Sequence, residues 1–471
     1  MPQTEQALLR EIAQRFLRIS VDTCPEEAVE TAKLAILDTL GVTLAGSGSL
    51  SAVALVKAIG RTFGEGPALL FGGSRRVDVL SAALANGTAS HALDFDDCSN
   101  TMGGHPSAPI VPALWALAEE RGASGASFIA SYIAGFEVET KLGRAVNFHH
   151  YEKGWHPTAT LGTFGSAAAC CHLLDLDADR SATALALAAS MASGLKANFG
   201  TMTKPFHIGH CACNGLQAAL LAEAGMTANH DVLEHPQGFF AVYNGAGTFV
   251  PERLFENWAA PLDIIEPGVA FKRHPCCAST HPAIDALLQL REVHGLHPDN
   301  VASILSWTHP RRLRHTNRPD PKDGLDGKFS VQYVLARALR NGLVGVDDFS
   351  DEAVRDPEIR SIMSRIEAAP HPQAVMESTE HFFAELRVTT TSGEVLTAHV
   401  DRPLGRDRDH PLPPGTLERK FADCAGQVVE PDVARQFAAR IFALEAERDI
   451  RSLSRQLSVP SRPDAGAARV A

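Results

Sequence analysis

The sequence predicts a mainly α-helical protein with a large all-helical domain and a smaller α+β domain that contains an antiparallel sheet. Two observations support this fold class. Apolar residues recur at helical spacing through about the first 260 positions and again after residue 414, and they alternate along two short segments between 382 and 400. The 471 residues are 45% hydrophobic and 21% charged, which is enough apolar material for two large domains.

The first region is a succession of predicted helices. The helix at 26–45 begins after Pro25 and ends before Gly46, and its second half is apolar on nearly all sides. Such a pattern is typical of a helix buried inside a large helical body. Small residues in the other helices would let them pack closely. These other helices are predicted at 5–19, 51–62, 77–97, 109–121, 126–146, 158–173, 180–195 and 214–224.

The pattern changes after about residue 260. Residues 301–307 are predicted to form a strand and 331–340 a helix. The segments 382–390 and 394–400 alternate between apolar and polar residues on either side of a Ser-Gly pair that includes Gly393, which predicts a β-hairpin.

These changes divide the chain into domains. The α+β domain is predicted to span 265–402, and the helical domain to be discontinuous, formed by 1–264 together with 403–457. Residues 458–471, rich in Pro, Ala and Arg, are predicted to be a disordered tail. The helices that return to the helical domain are predicted at 417–425 and 433–453.

Charge and cysteine content exclude several classes of protein. The formal net charge is −12, whereas a nucleic-acid binder needs a basic face to displace counterions. No uninterrupted apolar run is long enough to predict a membrane span, and the N-terminus carries charges where a signal peptide needs an apolar centre. Nine cysteines, four of them in adjacent pairs, do not form a disulfide framework. We therefore expect a reduced, cytoplasmic protein that binds neither nucleic acid nor membrane.

The first candidate site is the segment HALDFDD (91–97), followed by His105 in a short loop. His91, Asp94 and Asp97 lie three residues apart, so a helix would place them near one face. Three acids within four residues repel one another unless some are paired or have a raised pKa. The alternative interpretation is a capped helix end with solvated acids.

Three further segments combine cations or imidazoles with helix ends. His156 lies just before an apolar helix, where the positive end of the helix dipole favours the neutral, basic imidazole; a turn-capping histidine is the alternative. Lys204, predicted in a loop between two apolar helices, could hold a carboxylate, although a surface lysine is equally compatible with the sequence. Residues 272–281, KRHPCCASTH, lie near the predicted domain junction and would suit an anionic ligand; a polar linker is the alternative.

Other motifs point away from metal and nucleotide chemistry. The residues His207, His210, Cys211 and Cys213 fit no common zinc spacing, and no HExxH motif occurs. The sequence also lacks a P-loop and a GxSxG motif.

Taken in order, the motifs HALDFDD, GHPS, GWHPTATLG, NFGTMTKPFHIG, KRHPCCASTH and KFSVQYVLARAL resemble the MmgE/PrpD family over roughly residues 5 to 455. That family contains 2-methylcitrate dehydratases, cis-aconitate decarboxylases and iminodisuccinate epimerase. The resemblance implies a helical domain joined to a smaller α+β lid, a homodimer, and an enzyme without metal or organic cofactor.

The resemblance also indicates site residues. The catalytic positions that it implies are Asp94, His105, His156 and Lys204. The residues expected to bind substrate are Thr203, Lys272, Arg273 and Cys277.

Three departures from the animal decarboxylases lower the expectation of decarboxylation. Cys277 stands where those enzymes carry a further active-site histidine, and Cys98 stands in place of a threonine. The spacing from Asp94 to His105 is also one residue longer.

The three activities share one chemical difficulty, because a C–H bond next to a carboxylate is a very weak acid. We expect His156 or Asp94 to take the proton, and Lys204 with Lys272 to stabilise the charge that develops on the carboxylate. The reaction would be an elimination if His105 then protonates a leaving hydroxyl, and an epimerisation if His105 returns a proton to the opposite face of the carbon. The first expectation is a 2-methylcitrate-dehydratase-like lyase on a small polycarboxylate. An epimerase of the iminodisuccinate type is the alternative, followed by a decarboxylase or a non-catalytic ligand-binding relative.

Overall fold

The computed structural model describes residues 7–374 and 382–459. The chain divides into two compact units. The first unit contains the chain up to Ala92, residues 96–271 and the chain from Pro414; the second contains 93–95 and 272–413. Of the predicted tail, residues 460–471 lie outside the described residues.

Helices dominate the described residues. In chain order they are α1 (Leu8–Phe16), α2 (Glu26–Gly46), α3 (Leu50–Ile59), α4 (Val79–His91), α5 (Ser107–Arg121), α6 (Gly125–Val146), α7 (His149–Lys153), α8 (Pro157–Thr160), α9 (Gly162–Leu173), α10 (Ala178–Met191), α11 (Thr203–Glu223), α12 (His281–His294), α13 (Pro310–Thr316), α14 (Gly324–Gly327), α15 (Val331–Asn341), α16 (Asp351–Arg355), α17 (Pro357–Met363), α18 (Thr416–Ala425), α19 (Pro431–Phe442) and α20 (Arg451–Leu457). The strands are β1 (Ala68–Leu69), β2 (Arg76–Val77), β3 (Val301–Thr308), β4 (Ile366–Pro370), β5 (Ala384–Thr390) and β6 (Val395–Val400).

The first unit contains α1–α11 and α18–α20, with β1 and β2 as a short antiparallel pair. The sequence predicted that the second half of α2 is buried on all sides, and this is confirmed: every residue from 35 to 46 is buried. Its apolar residues join a core that also takes in α5, α6 and α9. The mainly α-helical fold class predicted from the sequence is therefore confirmed.

Helix α4 ends earlier than the sequence pattern predicted. The prediction extended this helix to residue 97, but it stops at His91, and Asp94 has a left-handed backbone with φ 51°. The acids after the helix are buried, and Asp96 and Asp97 bind His105 and Ser107, which lie beyond the end of the helix. His91, Asp94 and Asp97 consequently do not share one helical face.

Helix α11 begins earlier than predicted, at Thr203 instead of residue 214. It packs closely against α4 because both helices carry glycine at the crossing. A Cβ at Gly87 would lie 2.9 Å from the Cα of Gly209, and one at Gly209 would lie 2.1 Å from the Leu84 carbonyl oxygen. This close approach brings the C-terminal end of α4 next to the first turns of α11.

The second unit contains α12–α17 and a four-stranded sheet in the order β4-β3-β5-β6. The predicted hairpin forms β5 and β6, with Gly393 at φ 88° in the turn. The sheet is mixed instead of wholly antiparallel, because β4 pairs in parallel with β3. A parallel neighbour needs a long crossover, and residues 309–365, with α13–α17, supply it.

No single helix among the described residues has the length and apolar composition needed to cross a membrane. One pair of helices, 26–46 and 50–62, meets these two criteria jointly, with a bend of 69° between its members.

Candidate active site

The carboxylate of Asp96 joins two imidazoles in the first unit. Its Oδ2 lies 2.7 Å from Nδ1 of His91, the last residue of α4, and 3.1 Å from Nδ1 of His105, in the loop before α5. The two rings meet edge to face with centroids 4.5 Å apart. The His105 backbone N–H donates to Thr158 Oγ1 at 3.1 Å, which fixes this loop against α8.

These contacts fix the charge states of His91 and Asp96. Burial by itself would raise the pKa of Asp96, but the His105 and His91 imidazoles outweigh it and hold the pKa well below its usual range. Burial lowers the pKa of His91 to about 3, against the opposing effect of Asp96. His91 is therefore neutral and Asp96 ionised, so His91 donates its Nδ1 proton to the carboxylate and its Nε2 carries a lone pair.

A third imidazole, His156, lies beside this pair at the residue before α8. Its ring centroid is 5.6 Å from that of His91, and its side chain is buried. His156 Nδ1 lies 3.2 Å from Nδ1 of His207, so one of these nitrogens donates and the other accepts. His156 Nε2 is buried and has no hydrogen-bond partner among the described residues. Burial drives the pKa of His156 well below its usual range, and the neighbouring His91 and Lys204 lower it further.

Lys204 and His207 enter this group from the first two turns of α11. The sequence predicted Lys204 in a loop, which is wrong, because α11 starts one residue before it. Lys204 is buried, and its Nζ lies 5.4 Å from the centre of the Phe199 ring. We call His91, Asp96, His105, His156, Lys204 and His207 the histidine cluster.

The structure thus brings together three of the predicted catalytic residues, His105, His156 and Lys204. Thr203 is the first residue of α11, next to Lys204. Sequence reasoning did not select Asp96 or His207 as site residues. The three-residue spacing from Lys204 to His207 would have indicated the latter once the helix was known to start at residue 203.

Asp97 is the neighbour of Asp96 but has a different environment. Its Oδ1 accepts a hydrogen bond from the Ser107 backbone N–H at 3.2 Å, and its Oδ2 contacts the Ser107 hydroxyl, which also lies 2.6 Å from the Tyr132 hydroxyl. Burial raises the pKa of Asp97 to about 7, and Asp38 and Asp96 add to this effect against the Ser107 bonds.

Asp94, Lys272 and Arg273 belong to the second unit. Lys272 Nζ lies 3.2 Å from Asp94 Oδ1 and donates to the Asp94 carbonyl oxygen at 2.7 Å, and both side chains are buried. Arg273 pairs with the buried Asp285 at 3.0 Å. The predicted residues Asp94 and Arg273 are therefore engaged in ion pairs within this unit.

Cys277 lies in the same unit at the start of a helix. The turn Ala278–Thr280 follows it and continues directly into α12; the residue is partly exposed, and its thiol is hydrogen-bonded to His315. Nε2 of His315 lies 3.1 Å from Ser279 Oγ. Burial would raise the pKa of Cys277, but His315 outweighs burial and lowers it to about 6. We call Cys277, His315, Ser279 and Lys272 the thiol cluster.

The histidine cluster also has the residue types that bind metal ions. Ligand atoms of His91, Asp96 and His105 lie within 4.8 Å of one another. However, Asp96 Oδ2 and the two Nδ1 atoms already bind each other, so a cation at these atoms would replace both hydrogen bonds. The geometry fits a hydrogen-bonded acid–base group better than a ligand set.

A separate cavity of about 720 Å³ lies elsewhere in the first unit. Arg15, Arg18 and Trp258 are among its lining residues, and Arg15 is paired with Glu11 at 2.6 Å. None of the predicted site residues lines this cavity.

Models of two known protein-family domains match most of the chain. The MmgE/PrpD N-terminal domain matches residues 10–252, and the MmgE/PrpD C-terminal domain matches 274–445.

Individual relatives carry two kinds of name. The cis-aconitate decarboxylase of Homo sapiens is 30% identical over 476 residues, which cover 97% of this chain and 96% of that protein. The mitochondrial 2-methylcitrate dehydratase of Yarrowia lipolytica is 25% identical over 93% of this chain and 87% of its own. The 2-methylcitrate dehydratase of Cupriavidus necator is 24% identical over 81% of this chain and 82% of its own. Decarboxylases and dehydratases are both lyases.

Proposed function

Because this chain belongs to the MmgE/PrpD family, whose relatives described above are lyases, we propose that it eliminates water from a small di- or tricarboxylate. The proposed reaction starts with removal of a proton next to a carboxylate and needs no organic cofactor. A 2-methylcitrate-like hydroxy acid is the substrate class that we put first, because it carries both the acidic C–H bond and a hydroxyl on the neighbouring carbon.

The observation that carries this proposal is the state of His156. A general base must be unprotonated at neutral pH and must have a free lone pair within reach of its substrate. Burial keeps the His156 imidazole neutral, and its Nε2 has no hydrogen-bond partner among the described residues. His156 Nδ1 lies 3.2 Å from His207 Nδ1, and we assign His156 as the donor of this bond, because only the tautomer with its proton on Nδ1 has a lone pair on Nε2.

An elimination also needs an acid, and His105 has a suitable environment. A carboxylate beside an imidazole stabilises its protonated form, and Asp96 lies 3.1 Å from His105 Nδ1. His105 and His156 therefore differ in their surroundings, one beside a negative charge and the other among neutral rings and an ammonium. We assign the base to His156 and the acid to His105 on this difference.

In the proposed step His156 Nε2 takes the C–H proton, and the electron pair of that bond forms the C=C bond. The C–O bond to the hydroxyl breaks, and a proton from His105 converts the leaving group to water. Lys204 is the cation of the histidine cluster, and it is close enough to lower the pKa of both His91 and His156. We propose that its charge stabilises the carbanion-like transition state, which general acid–base catalysis alone does not supply.

Decarboxylation is the second candidate. It is favoured by the 30% identity to the human cis-aconitate decarboxylase over nearly the whole chain. In a decarboxylation, a carboxylate of the substrate would leave as CO₂, and a protonated imidazole of the histidine cluster would then protonate the carbon. Epimerisation, in which a proton returns to the opposite face, would use the same base.

A direct assay separates these reactions. The purified protein is incubated with 2-methylcitrate and, separately, with cis-aconitate, and ultraviolet absorbance of a new C=C bond and released CO₂ are measured. We expect alkene formation from 2-methylcitrate without CO₂. Release of CO₂ from cis-aconitate would replace the first candidate with the second, and solvent deuterium uptake with inversion but no net product would indicate an epimerase.

The role of His156 is tested with His156→Gln in deuterated water. We expect incorporation of deuterium at the substrate C–H position, and turnover, to fall by about 10²–10⁴-fold, the usual range for losing a general base. The control is His210→Gln, an exposed imidazole on the same helix α11, which should leave both rates unchanged. Undiminished exchange in His156→Gln would exclude His156 as the base.

A further inference from the structure

Cys277 differs from the other cysteines in its local structure. The turn and helix that follow it run without interruption from residue 278 to 294, and helix N-termini stabilise negative charge. The thiol is hydrogen-bonded to His315, and His315 is held by the Ser279 hydroxyl at 3.1 Å. A cysteine, an imidazole and a hydroxyl that orients the imidazole form the arrangement that activates a thiol.

The charges around the thiol come from three segments of the second unit. His315 lies on α13, Lys272 is five residues before Cys277, and Asp94 is on the segment 93–95. His315 and Lys272 favour the thiolate, and Asp94 opposes it but is paired with Lys272. Burial raises the pKa of the neighbouring Cys276 to about 12, so that thiol stays neutral.

Two other cysteines, Cys276 and Cys213, lack these features. Burial raises the pKa of Cys276 to about 12, and its Sγ lies 3.3 Å from Thr280 Oγ1. Cys213 is a partly exposed residue, as Cys277 is, but burial raises its pKa to about 11. Partial exposure is therefore not what distinguishes Cys277.

We propose that Cys277 is a site of reversible S-thiolation, at which the thiol exchanges with a low-molecular-weight disulfide while His315 carries the proton. The inference concerns the second unit and does not depend on the reaction proposed for the histidine cluster.

The exchange balances without a further reactant. The Cys277 proton passes to His315, and the thiolate attacks one sulfur of the disulfide RSSR. An S–S bond forms between Cys277 and SR while the original S–S bond breaks, and the leaving RS⁻ takes the proton back from His315. Cys277 is oxidised to the mixed disulfide, and one half of RSSR is reduced to the thiol RSH.

The adduct should persist until an external thiol removes it. A second cysteine would resolve it internally, but Cys276 is the only other cysteine in the second unit. It is fully buried, and its pKa of about 12 leaves it protonated. Adjacent residues also have Cα atoms closer together than a normal disulfide allows.

The first test measures alkylation by iodoacetamide between pH 5 and 10, with each cysteine quantified by peptide mass spectrometry. We expect the rate at Cys277 to rise with a midpoint near pH 6 and, at pH 7, to exceed that at Cys213 at least about tenfold. A midpoint at or above the ordinary thiol value of about 8.5, or a rate no faster than that of Cys213, would overturn the proposal. This test uses the unmodified protein.

The second test uses glutathione disulfide and the variants His315→Gln and Ser279→Ala. In the wild-type protein we expect one adduct on Cys277 that dithiothreitol removes. His315→Gln should move the alkylation midpoint above the ordinary thiol value of about 8.5, because burial is then no longer outweighed, and Ser279→Ala should move it part of the way, because Ser279 acts only by orienting His315. An unchanged midpoint in a folded His315→Gln protein, or an adduct mainly on another cysteine, would contradict the assignment.

Discussion

The histidine cluster and the thiol cluster respond to burial in opposite ways. In the histidine cluster, burial lowers the pKa of His91 and drives that of His156 well below its usual range, so both imidazoles stay neutral. In the thiol cluster, burial pushes Cys277 toward its neutral form as well, yet His315 reverses the effect and favours the thiolate. Burial thus keeps His91 and His156 neutral, whereas at Cys277 a hydrogen-bonding partner outweighs burial.

The difference shows that burial alone does not set the charge of a site. A buried group becomes charged only when an opposite charge or oriented hydrogen bonds repay the lost solvation. The adjacent acids Asp96 and Asp97 illustrate this, because both are buried but have different hydrogen-bond partners. Two imidazoles keep Asp96 ionised, whereas the hydroxyl and N–H of Ser107 do not compensate the burial of Asp97.

After the loss of the base in His156→Gln, the largest expected effect comes from removing the charge that organises the histidine cluster. In Asp96→Asn, the amide oxygen can still accept hydrogen bonds but carries no negative charge, so His91 and His105 lose their common charged acceptor. We expect turnover to fall by about 10²–10³-fold, or about 3–4 kcal/mol in activation free energy. Steady-state kinetics on the substrate identified by the product assay would measure this.

The matched control is Asp97→Asn. A protonated carboxyl and an amide have nearly the same shape, and Asn can accept from the Ser107 N–H while donating to its hydroxyl. We expect turnover within a few-fold of the wild-type value. Equal losses in both variants would show that the loop, and not the charge on Asp96, is what catalysis requires.

The next effect is on stability, and its sign follows from the raised pKa of Asp97. The folded protein binds this proton up to about pH 7, whereas the unfolded chain releases it near pH 4. Asp97 therefore contributes stability that is fully present below pH 4 and is lost as the pH rises to about 7. The slope is at most about 1.4 kcal/mol per pH unit.

Chemical denaturation of wild type and Asp97→Asn between pH 4.5 and 7.5 would measure this slope. We expect the variant to gain stability relative to wild type as the pH rises through this window. Asp96→Asn should show no such trend, because the lowered pKa of Asp96 confines its effect to more acidic pH. If the free energies of unfolding of wild type and Asp97→Asn change in parallel between pH 4.5 and 7.5, Asp97 is already ionised in the folded protein.

Sequence reasoning predicted the parts of this molecule that depend on local pattern. The buried half of α2 and the hairpin with its turn at Gly393 follow from apolar periodicity and turn chemistry, and both are present. The local motifs marked His105, His156 and Lys204 only as candidates, and the resemblance to the MmgE/PrpD family is what selected them as catalytic positions, a role that stays a prediction.

The missed features depend on contacts between distant residues. After α4 ends at His91, Asp96 contacts His105 and Asp97 contacts Ser107, and no helical pattern records these contacts with residues outside the helix. The start of α11 was missed because Pro205, Gly209 and the polar residues around them predict a loop. Gly209 is there because α4 crosses at that position, a fact visible only in three dimensions.

The smallest expected effects separate the charges that surround Cys277. Lys272 favours the thiolate and Asp94 opposes it, and both contribute less than His315. Lys272→Met should therefore move the iodoacetamide midpoint of Cys277 upward and Asp94→Asn should move it downward, each by less than about one pH unit. If both variants leave the midpoint in place, the helix N-terminus and His315 suffice to charge the thiol. Opposite shifts would mean that the pKa of Cys277 depends on both neighbouring charges as well as on His315. Burial alone, in contrast, is the largest cause that keeps the imidazoles of His91 and His156 neutral.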